Sequence, residues 1–270
     1  DPGRTLYKEI GVTERLTGAR VKREGGWDGV TVTGALDEVA AKLRAAGPEA
    51  AFVATPQATN EDLFAFKALA DTAGGLLDFR VGDPQHTLRE RLDHVLQRKD
   101  RNPNTQGALD LGLARDGVAA ILKRCASGEI KALVLQGPEL LRDPDHVDAI
   151  AGVPFVAVMA THEGPELGRP DVVLPAAMWA EVDGTFTNFQ RRVQRIRAAF
   201  AAPGDARPRW ELSAELLRRC GGTLAATSAR DVFARLSASV PDYAGLDYRA
   251  LGSTGRALPL KGLAAAEARA

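Results

Sequence analysis

Five short apolar runs punctuate the middle of the chain: AAFVAT at 50–55, LLDFRV at 76–81, IKALVLQG at 130–137, PFVAVMAT at 154–161 and DVVLP at 171–175. Each is too short for a buried helix and is bounded by Gly, Pro, Asp or Thr, which is the pattern of a fully buried strand. Amphipathic stretches lie between most of them, and strands alternating with helical patterns imply parallel pairing through crossover helices. The expected fold class is therefore α/β, with parallel-sheet βαβ subdomains.

The helical stretches carry readable ends. Leu36, Val39, Ala40 and Leu43 share a face in 35–47, which stops at Gly47-Pro48. In 56–75, Thr59 or Asn60 can cap, Glu61 and Asp62 sit in the positive first turn, Leu63, Phe66 and Leu69 share a face, and Gly74-Gly75 ends the run. Further helices are expected at 117–127, 143–151, 206–222 and 228–240, the last capped by Ser228 with Asp231 facing back. A short helix is expected at 87–96, before Asn102-Pro103-Asn104-Thr105-Gln106-Gly107, which has turn chemistry. These elements divide the chain into an extended lead-in (1–33), a first α/β subdomain (34–115), a second (116–222), and C-terminal helices with a weakly ordered tail (223–270).

With 270 residues the chain can bury a substantial core, and 35 basic against 35 acidic residues remove any general electrostatic case for nucleic acid. Any anion site must be local. Cys125 and Cys220 lack a Cys-x-x-Cys companion and read as small core thiols. No apolar run approaches the roughly 20 residues that cross a bilayer, so no direct membrane insertion is expected. The opening DPGRTLYKEIG has no signal-peptide pattern, and the lack of an initiating Met suggests a piece of something longer.

Fingerprints for dinucleotide binding, P-loop hydrolysis and serine esterase chemistry are missing from the sequence. His86, His94, His146 and His162 lack metal-ligand spacing; His162, in a loop after a strand, has the best position of the four. The acidic pairs Glu61/Asp62 and Glu181/Asp183 fall at helix caps or turns, where they complement a dipole. Arg191, Arg192, Arg195 and Arg197 form a cationic block suited either to phosphate or to a solvated edge and subunit contact. Before it, Gly184-Thr185 reads as a turn which, with Asn188, offers an amide, a hydroxyl and a carboxamide that suit a purine base or a ribose. A plain surface hairpin is the alternative.

Taken in order, ERLTGARVKREGGWDGVTVTGALDEVAAKL, TNEDLFAFKALADTAGG, NPNTQGALDLGL, GEIKALVLQGPELLRDPD and DVVLPAAMWAEVDGTFTNFQRRVQRIRAAF with PGDARPRWELSAELLRR resemble the molybdopterin oxidoreductase family over most of residues 1–220. Active members of that family place Cys or selenocysteine followed by His soon after the strand that trails the TNE helix. Here that stretch reads LLDFRVGDPQHT, with Arg80, Val81 and Gly82 and no Cys-His. A soft, high-valent metal requires a thiolate or selenolate, so the departure argues against catalysis.

The shortened form resembles the carboxy-terminal domain of the large peripheral-arm subunit of NADH:quinone oxidoreductase, the respiratory complex I. That resemblance implies a non-catalytic scaffold for electron transfer from NADH to quinone, with other peripheral-arm subunits as partners, at the cytoplasmic face of the cell membrane through the complex. It implies no catalytic and no metal-binding residue here, with Asn60, Thr185 and Asn188 as vestigial cofactor-pocket residues. Iron–sulfur clusters would lie in a preceding part of the chain or in partner subunits, and molybdopterin would be absent from this segment. Two alternatives remain: a subunit of a molybdopterin-dependent oxidoreductase such as formate dehydrogenase, and a nucleotide-binding module without redox activity.

Overall fold

The computed structural model of the chain describes residues 8, 11, 12, 14–81, 100 and 102–259. The expected helix at 87–96, His86, His94 and the terminal tail from 260 lie outside them.

The five apolar runs become β3 (Ala50–Val53), β4 (Leu76–Asp78), β5 (Ala132–Leu135), β6 (Val156–Ala160) and β7 (Val172–Pro175). They pair in parallel in the order β7-β6-β5-β3-β4, and β1 (Ala19–Arg23) and β2 (Gly26–Val30) extend the β7 edge to seven strands. The lead-in thus contains a hairpin: β1 pairs antiparallel with β2 and with β7. The strands of stretches 34–115 and 116–222 lie in this one continuous sheet.

Alternate residues of each buried strand point to opposite faces, so a strand apolar throughout demands cover on both. Ala50, Phe52, Val134, Met159 and Leu174 join the core beneath α1 (Val32–Ala46), α2 (Asn60–Ala73), α6 (Arg209–Arg219) and α7 (Ala229–Ser239). Val53, Leu133, Leu135, Val158 and Val173 face the other way and pack with Ile121 of α4 (Val118–Ala126) and Ile150 of α5 (Pro144–Ile150). No helix among the described residues is long and apolar enough to cross a membrane.

Local signals explain the helix ends. Thr59 caps α2 in a reciprocal box with Asp62, and Gly74 closes it at φ 69°. Ser228 Oγ accepts from Asp231 N–H at 3.2 Å as expected, while the Asp231 carboxylate turns to Thr227. The NPNTQG string turns at Pro103-Asn104, as its chemistry suggests, but its second half starts a six-residue helix, α3 (Thr105–Asp110).

A second, three-stranded antiparallel sheet has the order β10-β9-β8: β8 (Gly184–Thr187), β9 (Arg192–Ile196) and β10 (Arg256–Ala257). Gly184-Thr185, expected as a turn, is the start of β8. The reversal falls later, where Asn188 accepts from Gln190 and Arg192 N–H and Arg191 takes φ 57°.

Candidate functional site

In an open parallel sheet, ligands bind beyond the carboxyl ends of the strands where the winding reverses. Here that point lies between β3 and β5: β3 leads through α2 to β4 on one side, and β5 leads through α5 to β6 on the other. The chain's own side chains bridge the crevice. Thr55 N–H donates to Gln136 Oε1 at 3.3 Å, Thr55 Oγ1 donates to Glu139 Oε1 at 2.9 Å, and Gln136 Nε2 donates to the Asp62 carbonyl at 2.8 Å. Arg209, entering from α6, donates from Nε to the Gln136 carbonyl at 2.8 Å. Asp62 Oδ1 accepts from Trp210 N–H at 2.7 Å, and burial pushes the Asp62 carboxyl above its usual range, against the nearby Arg209 charge. This group welds the starts of α2 and α6 to the two strand ends; exposed Gln57 stands at its rim.

Asn60 and Thr185 do come together, but inside the protein. Both are 0% exposed, and Asn60 Nδ2 donates at 3.0 Å to Thr185 Oγ1 and at 3.0 Å to Thr187 Oγ1. Asn104 Oδ1 accepts from Thr187 N–H at 2.8 Å, and Thr187 Oγ1 lies 2.6 Å from the Tyr243 hydroxyl. Close approach is possible because two glycines carry no side chain: a Cβ at Gly184 would lie 2.6 Å from Thr59 Cγ2, and one at Gly107 would lie 2.2 Å from both Asn60 Oδ1 and Asn104 Oδ1. Asn188 is separate. It sits half-buried in the hairpin turn and lines a pocket of about 160 Å³ with Asn102, Thr105 and Phe189.

Glu61 lies in the first turn of α2, as expected of a residue complementing a helix dipole, but it is completely buried in this knot. Its carboxylate accepts from Thr185 N–H (2.8 Å), Thr185 Oγ1 (3.0 Å) and Tyr248 Oη (2.9 Å). Burial pushes its pKa up to about 7, with the donors opposing the rise. Adjacency to a helix cap hid this residue in the sequence; its one signal was the run of polar residues directly after an apolar strand.

The arginine block divides in the structure. Arg191 is buried and ion-paired with Asp110 at 3.0 Å and Asp242 at 2.6 Å, so it ties α3 to the C-terminal region. Arg192 reaches the carbonyls of Thr254 and Gly255. Arg195 lies 4.4 Å over the Tyr248 ring and 3.7 Å from Asp183, and Arg197 is exposed. Glu181 is likewise internal, paired with buried Arg15.

Among the described residues no group of three or more His, Cys, Asp or Glu side chains could hold a metal ion. His162 Nδ1 contacts Thr161 Oγ1 at 2.8 Å, and His146 lies 4.0 Å from Asp143. Cys125 and Cys220 are free thiols, and burial pushes Cys125 up to about 11, leaving it a neutral core group. Arg80, in the position where the resemblance sought a metal-binding pair, forks onto buried Asp78 at 2.6 and 2.8 Å.

Residues 95–219 match the molybdopterin oxidoreductase family. The alpha subunit of F420-dependent formate dehydrogenase 2 from Methanococcus maripaludis is 36% identical over 178 residues, covering 64% of this chain and 25% of its own length. The F420-dependent formate dehydrogenase alpha subunit of Methanocaldococcus jannaschii is 38% identical over 128 residues (45% of this chain, 19% of its own). The putative formate dehydrogenase YrhE of Bacillus subtilis is 33% identical over 135 residues (48% and 14%). The chain thus spans at most 25% of the length of these relatives. Acetylene hydratase from Pelobacter acetylenicus, a solved structure, overlaps 51% of this chain and 20% of its own at 14% identity, with a TM-score of 0.39.

Proposed function

We propose, from the premise that this is a molybdopterin oxidoreductase-like domain, that it is a structural part of a formate dehydrogenase-type enzyme and forms one wall of a cofactor-binding assembly. The observation that carries this reading is the 36% identity to a formate dehydrogenase alpha subunit over 64% of the chain. The relatives named above favour it over the respiratory-scaffold reading.

The residues fit the role of a wall better than that of a metal centre. No metal-ligand cluster occurs among the described residues, and Asn60 and Thr185 face each other rather than a ligand. A molybdopterin group would supply the oxidation–reduction chemistry. This chain's contribution would be the crevice between β3 and β5, held rigid by Thr55, Gln136, Glu139 and Arg209 and rimmed by exposed Gln57. Metal ligands and iron–sulfur partners would then come from other parts of the assembly, and no catalytic residue is assigned here.

The test is elemental analysis of the purified natural assembly containing this chain, with pterin fluorescence after acid oxidation and formate-dependent dye reduction. Molybdenum or tungsten with pterin and formate oxidation supports the proposal. Iron without molybdenum, tungsten or pterin, together with NADH:quinone activity, overturns it in favour of the respiratory scaffold.

A further inference from the structure

Beyond the crevice and the buried knot, one depression of about 490 Å³ is lined by Arg195, Arg197, Arg230 and Arg249 with Asp183 and Tyr248. Its walls come from β9, the start of α7 and the turn after Tyr248, brought together by the second sheet and the C-terminal segment. Its size falls within the range of small-molecule sites, roughly 300–1,000 Å³.

Several arginines elsewhere are matched to acids, as Arg20 is to Glu163, Arg23 to Glu38, Arg124 to Glu129 and Arg142 to Glu166. Arg197, Arg230 and Arg249 are exposed and have no ion pair or side-chain hydrogen bond among the described residues. Arg195 is the organised member, stacked 4.4 Å over Tyr248 and 3.7 Å from Asp183. Four guanidinium groups against one carboxylate leave three net positive charges around a single concavity, although the whole chain is neutral by count. Like charges gathered around one concavity make its potential positive and favour an anion there.

We infer that this pocket binds a phosphate-bearing anion of the diphosphate class. A diphosphate carries roughly three negative charges near neutral pH, which match the pocket. Its oxygens suit the planar, multidentate guanidinium fork, whereas one carboxylate would leave most of the charge uncompensated. Asp183 opposes the anion at the edge where it faces Arg195 and directs it toward the three unpaired arginines. The inference does not rest on the formate dehydrogenase reading.

The experiment is calorimetric titration of the purified chain with sodium pyrophosphate, at low ionic strength and at about 0.15 M. Arms with a nucleoside diphosphate and with a glutamate-rich peptide accompany it. We expect saturable 1:1 binding that weakens with salt, and at least a ~tenfold loss of affinity in the Arg230→Gln/Arg249→Gln double variant. Arg142→Gln, elsewhere on the surface, leaves binding unchanged, and circular dichroism establishes that the variants fold. A nucleoside diphosphate binding as well as or better than pyrophosphate supports the site and shows whether a base is included. Three results overturn the proposal: no saturable heat, equal affinity in the double variant, or tighter binding of the peptide than of pyrophosphate. None involves a metal, pterin or formate.

Discussion

Asn60 and Thr185 stand 125 positions apart in sequence, yet Asn60 Nδ2 donates to Thr185 Oγ1 at 3.0 Å with both residues fully buried. The contact joins the first turn of α2 to β8 and so couples the two sheets. Replacing Asn60 by Ala leaves two buried hydroxyls short of a donor and opens a small void. We expect a loss of about 2–3 kcal/mol, read as a lowered urea midpoint. An unchanged midpoint would show that the amide has no structural role and would make Asn60 a candidate for ligand binding again.

Glu61 predicts a pH dependence with a definite sign. Its pKa in the folded protein is about 7 against an ordinary 4.5, so the folded state holds this proton more tightly than the unfolded chain does. The resulting stabilisation is complete below about 4.5 and is lost as pH rises through about 7. It amounts to something on the order of 3 kcal/mol. Denaturation of wild type and Glu61→Gln between pH 5 and 8 isolates it, since other titrating groups are common to both proteins. The stability difference should move toward the variant as pH rises. A difference that stays flat would mean that Thr185 and Tyr248 hold Glu61 ionised throughout.

These two residues show where sequence reasoning stopped. The five strands of the parallel core were legible because runs such as ALVL and VAVMA are apolar at every position, which only a strand covered on both faces requires. Thr59 and Ser228 announced their helices through local capping chemistry. Glu61 did not, because a carboxylate after an N-cap has a local explanation, and burial depends on β8 and Tyr248 arriving from far along the chain. The β1–β2 hairpin was hidden by its edge position, where β2 is mostly exposed and carries no apolar alternation. Arg191 looked like one of four equivalent surface arginines until Asp110 and Asp242 closed on it.

Arg191 combines a buried ion pair with a left-handed backbone, at φ 57°. Arg191→Ala strands the Asp110 carboxylate, which is 4% exposed, and keeps the unfavourable φ. We expect a loss of about 3–5 kcal/mol in chemical denaturation. Arg191→Gly loses the same pairs but relaxes the backbone, so it should be more stable than the Ala variant by about 1 kcal/mol. Equal stability would remove the turn geometry from the account.

At Gly107 an added methyl would press on the Asn60 and Asn104 amides, both within 2.2 Å of its ideal position. Asn104 cannot easily yield, since its Nδ2 donates to the Ala58 carbonyl at 2.9 Å while its Oδ1 serves Thr187. Gly107→Ala should cost about 1–3 kcal/mol. Combined with Asn60→Ala, which vacates part of the space, it should cost less than the sum of the single changes, and a double-mutant cycle with zero coupling would sink this account.

The seating of β1 against β7, with Arg20 opposite Val173 and Val21 opposite Val172, also sets a timetable for biosynthesis. A ribosome releases the β1–β2 hairpin early, but the strand that receives it emerges only after the β3, β5 and β6 segments have been translated. Until then the hairpin's inner edge is unsatisfied, and such non-local closure is the slow, exposed stage of folding. The last-synthesised strand of the parallel core is therefore the one that captures a hairpin made before any of the parallel strands. Translational pausing or a chaperone acting before β7 appears would be felt at this edge first.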